Sequence, residues 1–159
     1  MTSNHQRLEM RDRHDIAGYS PDRKLVLIAD VKAGKKTSEE NASFFRRNLL
    51  AHGLLSEVPY FLLAYKTQFF LWKGVRGPDA RPDYQAAAKP VLEKYLGKIA
   101  EDERGPGSEG LEIAVKSWLS ELASGIQVPA AQSAPDQMLV ESGLYDCLKG
   151  GEVHSESPQ

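Results

Sequence analysis

Nine residues, Lys24 to Lys32 (KLVLIADVK), constrain this chain more than any other stretch. The run is apolar and rich in β-branched residues. It is bounded by the turn-forming Ser20-Pro21-Asp22 before it and Gly34 after it, the pattern of a buried strand. Side chains alternate across a strand, so Asp30 and Lys32 leave the same face. Upstream, His14 to Tyr19 can pair back through Ser20-Pro21-Asp22-Arg23. With Tyr19 opposite Lys24, Asp15 falls opposite Ile28 on that same face. Asp30 is then its diagonal neighbour, roughly 7–8 Å away at the Cα atoms. A one-residue slip would send Asp15 to the other face. Two acids and a lysine at the end of an apolar strand are costly unless they pair or bind something. The plain alternative is a surface Asp–Lys pair, which contributes little.

The chain has 159 residues, enough for one domain with a real core. No apolar run approaches the length of a membrane span, and Met1 opens no secretion signal. A cytoplasmic setting is therefore the default expectation. The lone Cys147 excludes an internal disulfide framework and a multi-cysteine zinc site. Charge is uneven: residues 1–100 carry 17 Lys/Arg against 11 Asp/Glu, while the remainder carries 3 against 11. A basic first half suits a polyanionic substrate, although the excess is modest.

Downstream of Lys32, Ala33-Gly34-Lys35-Lys36-Thr37-Ser38 invites comparison with a phosphate-binding P-loop. The comparison fails, because Ala29 occupies the first glycine position and Lys36 the Ser/Thr position. Thr37 or Ser38 instead caps a helix to about His52, with Ala42, Phe45 and Leu49 as its apolar stripe. Val58–Ala64 and Gln68–Lys73 form a strand pair. Residues 74–83 (GVRGPDARPD) form a Gly/Pro-rich loop, either a lid over a substrate or a connector. Residues 83–88 are ambiguous between strand and helix. Pro90 opens a helix to about Ile99, and Ser108 caps another to Ser124. A last helix spans Asp136–Leu148, and residues 149–159 form a disordered tail.

An Asp on one strand, a turn, then an apolar strand ending Asp-x-Lys resembles the PD-(D/E)XK (restriction-endonuclease-like) nuclease superfamily. The elements are Asp15 and Asp30-Val31-Lys32, and the likeness runs from about His14 to Lys73. Two departures stand out. His14 occupies the position of the family's proline, and residues 1–13 leave little room for the usual opening helix.

The resemblance implies an α/β fold: a restriction-endonuclease-like core with a mixed four- to five-stranded sheet flanked by helices. Residues 1–100 would form that core, and 101–148 a helical C-terminal extension of the same domain. It implies Asp15, Asp30 and Lys32 as catalytic residues. Mg²⁺ or Mn²⁺ would be held by Asp15, Asp30 and the Val31 backbone carbonyl, with Glu9 as a further acid. Lys35, Lys36, Arg46 and Arg47 are the candidates for substrate phosphates. The expected function is metal-dependent hydrolysis of phosphodiester bonds in nucleic acid, DNA foremost. The alternative is a catalytically inactive nuclease-fold subunit. The C-terminal helices are the candidate surface for a homodimer or a partner protein, and no membrane role is expected.

Overall fold

The computed structural model describes residues 15–33, 38–51, 58–74, 77–97, 107–125 and 133–155. The apolar run is a strand as expected. It forms β2 (Leu25–Lys32), paired antiparallel with β1 (Ile16–Tyr19). The register differs from expectation by two residues. Ile16 lies opposite Ala29 and Gly18 opposite Leu27, so Asp15 adjoins Asp30 and not Ile28. Two single-residue insertions cause the shift. Arg23 adopts a left-handed conformation (φ 68°) in the turn, where Ser20 N–H donates to the Lys24 carbonyl. A bulge then adds one residue between the Tyr19–Leu25 and Gly18–Leu27 pairs. Two insertions restore the original parity, so Asp15 stays on the Asp30 face.

From β2 the chain crosses through α1 (Glu39–Ala51) to β3 (Tyr60–Tyr65), which lies parallel to β2. Ser38 caps α1, its Oγ accepting the Asn41 N–H at 2.9 Å. The Lys66-Thr67 turn leads to β4 (Gln68–Lys73), and β5 (Tyr84–Ala87) follows antiparallel, resolving 83–88 as a strand. Then come α2 (Lys89–Leu96), α3 (Ser108–Ser124), α4 (Ala134–Glu141), α5 (Leu144–Leu148) and β6 (Glu152–Ser155). Sheet order is β5-β4-β3-β2-β1-β6; β2–β3 is parallel and the other neighbouring pairs in this order are antiparallel.

The fold is thus α/β, a mixed sheet flanked by helices, but with six strands among the described residues in place of the four or five expected. The additional strand comes from the segment expected to be a disordered tail. Gly150 (φ 85°) turns the chain, and Gly151 passes so close to the Tyr19 carbonyl that a Cβ there would lie 1.8 Å from its oxygen. These two glycines let β6 dock beside β1. The last helix is also two. Gly143, at φ 88°, breaks it between α4 and α5. At α3 the N-cap is Gly107, with Ser108 the first helical residue.

Each sheet face has its own cover. One face presents Ile16, Leu27, Ala29, Leu62, Ala64, Phe69 and Leu71 to α2–α5. There Phe69 stacks on Trp118 with centroids 5.3 Å apart. The helices after β5 therefore supply much of the main core. The opposite face presents Ile28, Phe61, Leu63, Tyr65, Phe70 and Trp72 to Ala42, Phe45 and Leu49 of α1. Burial of such side chains contributes about 1.5–3 kcal/mol each, enough to fix which way β2 faces. No helix among the described residues is long and apolar enough to cross a membrane.

Candidate functional site

The acidic pair sits where β1 begins and β2 ends, on the α1 side of the sheet. The ladder stops at Ile16–Ala29, and the next two residues bond through their side chains. Asp15 N–H donates to Asp30 Oδ1 at 3.0 Å, and Val31 N–H donates to Asp15 Oδ2 at 2.8 Å. The two carboxylates thus clasp opposite strands reciprocally. Each spends one oxygen on the clasp. Asp15 Oδ1 and Asp30 Oδ2 have no hydrogen-bond partner among the described residues.

The Val31 N–H points toward β1, and a residue's carbonyl leaves a strand on the same side as its N–H. The Val31 carbonyl therefore leaves β2 on its β1 side. Lys32, two residues beyond Asp30, shares its face, and its Nζ lies 4.0 Å from the centroid of the Phe45 ring on α1. Asp15, Asp30, Val31 and Lys32 are thus brought together.

Asp30 is 6 % exposed. Burial pushes its carboxyl up to about 6. The Asp15 N–H bond opposes that rise and the Asp15 charge adds to it, while Lys32 opposes and Glu112 adds. Glu112 is a contributor that sequence reasoning missed. It lies on α3, where its Oε2 accepts the Ser155 hydroxyl at 2.8 Å. Nothing local to Glu112 marks it out, because only the packing of α3 against β6 and β2 carries it to this end of the sheet.

The two arginines of α1 diverge. Arg46 is buried, its guanidinium 5.6 Å from the Trp72 ring centroid and donating to the Gly77 carbonyl at 2.8 Å. Arg47 is exposed and pairs with Asp79 at 3.6 Å. Both hold the 77–83 segment, as does Trp72, whose Nε1–H donates to the Ala80 carbonyl. The Asp83 N–H bonds to the Leu71 carbonyl, and Arg81 bonds to Glu39. Of the two readings of this loop, the connector strapped to α1 and β4 matches these bonds. Glu9, Lys35, Lys36 and His14 lie outside the described residues.

No protein-family model matches the chain, and neither a curated protein nor a solved structure is significantly similar to it.

The donor set suits a hard cation. Mg²⁺ is commonly bound through one or two carboxylates, with water and substrate phosphate completing its shell. Two carboxylate oxygens without hydrogen-bond partners among the described residues fit that pattern. Among the described residues no group of three or more His, Cys, Asp or Glu side chains gathers to form a cage closed by protein ligands.

Proposed function

We propose that the chain is a metal-dependent phosphodiesterase acting on nucleic acid, DNA foremost. The observation that carries the reading is the Asp15–Asp30 clasp, which fixes two carboxylates side by side and leaves one oxygen of each open. Asp15, Asp30 and the Val31 carbonyl would hold Mg²⁺ or Mn²⁺. When bound, such an ion polarises a phosphoryl group and supplies hydroxide from its water. Asp15 and Asp30 hold their positions because each is tied to the backbone of the facing strand. Lys32 presents a cation on the same face, where charge develops on a pentavalent phosphorus. The resemblance of Asp15 and Asp30-Val31-Lys32 to the PD-(D/E)XK pattern supplies the reaction class.

A second reading has its own support. A reciprocal clasp also closes a ladder end, and only two described carboxylates meet there. That arrangement suits an inactive nuclease-fold subunit that binds or docks. Hydrolysis of plasmid and single-stranded DNA with Mg²⁺ or Mn²⁺ separates the two. Asp30→Asn and Lys32→Ala are each expected to lower cleavage by about a hundredfold or more, the scale of losing one transition-state contact. A well-folded wild type that neither cleaves nor binds Mn²⁺ by calorimetry leaves only the second reading.

A further inference from the structure

Lys32 ends β2 two residues after Asp30, with Asp15 at the start of the neighbouring β1, yet it forms no ion pair within 4 Å of an acid among the described residues. Its Nζ rests 4.0 Å from the Phe45 ring centroid. A lysine so close to Asp15 and Asp30 would ordinarily collapse onto one of them, since its stem is long and flexible. Collapse would occupy a carboxylate oxygen and cancel charge that a divalent cation needs. An aromatic face competes for the ammonium through its quadrupole, most strongly where water is partly excluded.

Phe45 is well placed for this. It belongs to the apolar stripe of α1 with Ala42 and Leu49 and packs, partly buried, against the aromatic core cluster of this sheet face, so its position is held by packing. Asp30 itself is buried. We infer that Phe45 is a positioning residue, whose ring holds the Lys32 ammonium off Asp15 and Asp30 and so keeps their open oxygens available to the cation. The inference rests on the metal-dependent reading of the site and adds a residue that the Asp-x-Lys pattern does not contain.

The ring contact makes the idea measurable without activity. In ¹³C-labelled protein the Lys32 ε-methylene resonance, assigned by its loss in Lys32→Met, lies upfield of the other lysines in wild type and in Phe45→Tyr. It returns to the ordinary lysine position in Phe45→Leu. By calorimetry, Phe45→Leu binds Mn²⁺ about tenfold more weakly, the scale of one partly desolvated cation–π contact. Phe45→Tyr binds as wild type does. Adding Lys32→Met to Phe45→Leu restores the affinity, because no ammonium remains to fall onto the acids. A packing defect alone would be neither rescued by removing the lysine nor accompanied by a selective Lys32 shift.

An ordinary Lys32 resonance in wild type overturns the inference, and so does unchanged Mn²⁺ affinity in folded Phe45→Leu. A wild type with the upfield resonance but no Mn²⁺ binding overturns the metal reading itself, and with it the purpose assigned to Phe45. Failure of the contact and failure of the site are thus told apart.

Discussion

The two faces of the sheet solve different problems with the same strands. Under α2–α5 the interior is almost wholly apolar, with Leu27, Leu62, Leu71, Leu111, Leu119 and Leu139 sealed from water. Under α1 the core is smaller and aromatic, and its side of the sheet carries both buried charged residues among those described, Asp30 and Arg46. Burying a charge costs several kcal/mol before pairing, so a layer selected for stability alone would not hold two. The helical half provides a foundation against which the α1 side can carry polar groups at a cost. Stability and site are therefore separable by mutation, and the separation can be tested face by face.

The largest effect belongs to the apolar face. Trp118 is 2 % exposed, stacks on Phe69 and donates its Nε1–H to Asp136 Oδ1 at 2.9 Å. Trp118→Ala is expected to lower unfolding free energy by about 3–5 kcal/mol, from lost burial and the cavity left behind. Chemical denaturation measures it. At temperatures where the variant stays folded, Mn²⁺ affinity should match wild type. A variant that keeps its stability but loses the metal would break the division between the faces.

Asp30→Asn should act in the opposite direction. Its carboxyl is raised from the usual carboxylate range to about 6, mainly by burial. The folded state therefore holds a proton that the unfolded chain has released between about pH 4 and 6. Stability from this group is full below the unfolded value and is lost as pH rises through about 6. A shift of about two units corresponds to roughly 3 kcal/mol lost between acid and neutral pH. Asn removes the titration while its amide oxygen can still accept the Asp15 N–H. At pH 7.5 the variant is expected to be more stable than wild type by about 1–3 kcal/mol, a gain that vanishes near pH 4. Melts across pH 4–8 test this. A variant less stable than wild type at neutral pH would mean that the charge is satisfied in place, and that the clasp is structural first.

Where the sequence was legible, periodicity and burial agreed. The KLVLIADVK strand and the hairpin of β3 and β4 are apolar on both faces and are buried on both, while the α1 and α3 stripes each bury one side of a helix. Asp30 and Lys32 were readable for the same reason, since alternation fixes their common side. What escaped was what single residues decide. A left-handed Arg23 and a bulge moved the β1 register by two, because an arginine carries no signal for positive φ. The polar β6 gains its place from pairing with β1 and from what Gly151 permits, neither of which has a local pattern. Glu112 and Phe45 reach the site through helix packing, so their parts were invisible in one dimension.

The smallest effect is the sharpest check on the α1 layer, because it compares sequence neighbours. Arg46 points inward to Trp72 and Gly77, whereas the Arg47 side chain is 53 % exposed and its partner Asp79 86 % exposed. An ion pair that open is screened and costs side-chain entropy, so Arg47→Ala should change stability by no more than about 0.5 kcal/mol. If Arg47 meets a phosphate, the same variant should weaken DNA binding across sequences and reduce the salt slope by about one. Thermal melts and a salt titration of DNA affinity measure the two effects on one protein. Unchanged stability with a reduced slope assigns Arg47 to the substrate and Arg46 to the fold. Unchanged stability with an unchanged slope moves the search for phosphate contacts away from the exposed side of α1. A loss above about 1 kcal/mol would instead show that the 77–83 strap depends on its surface pairs, against the usual weakness of such bonds.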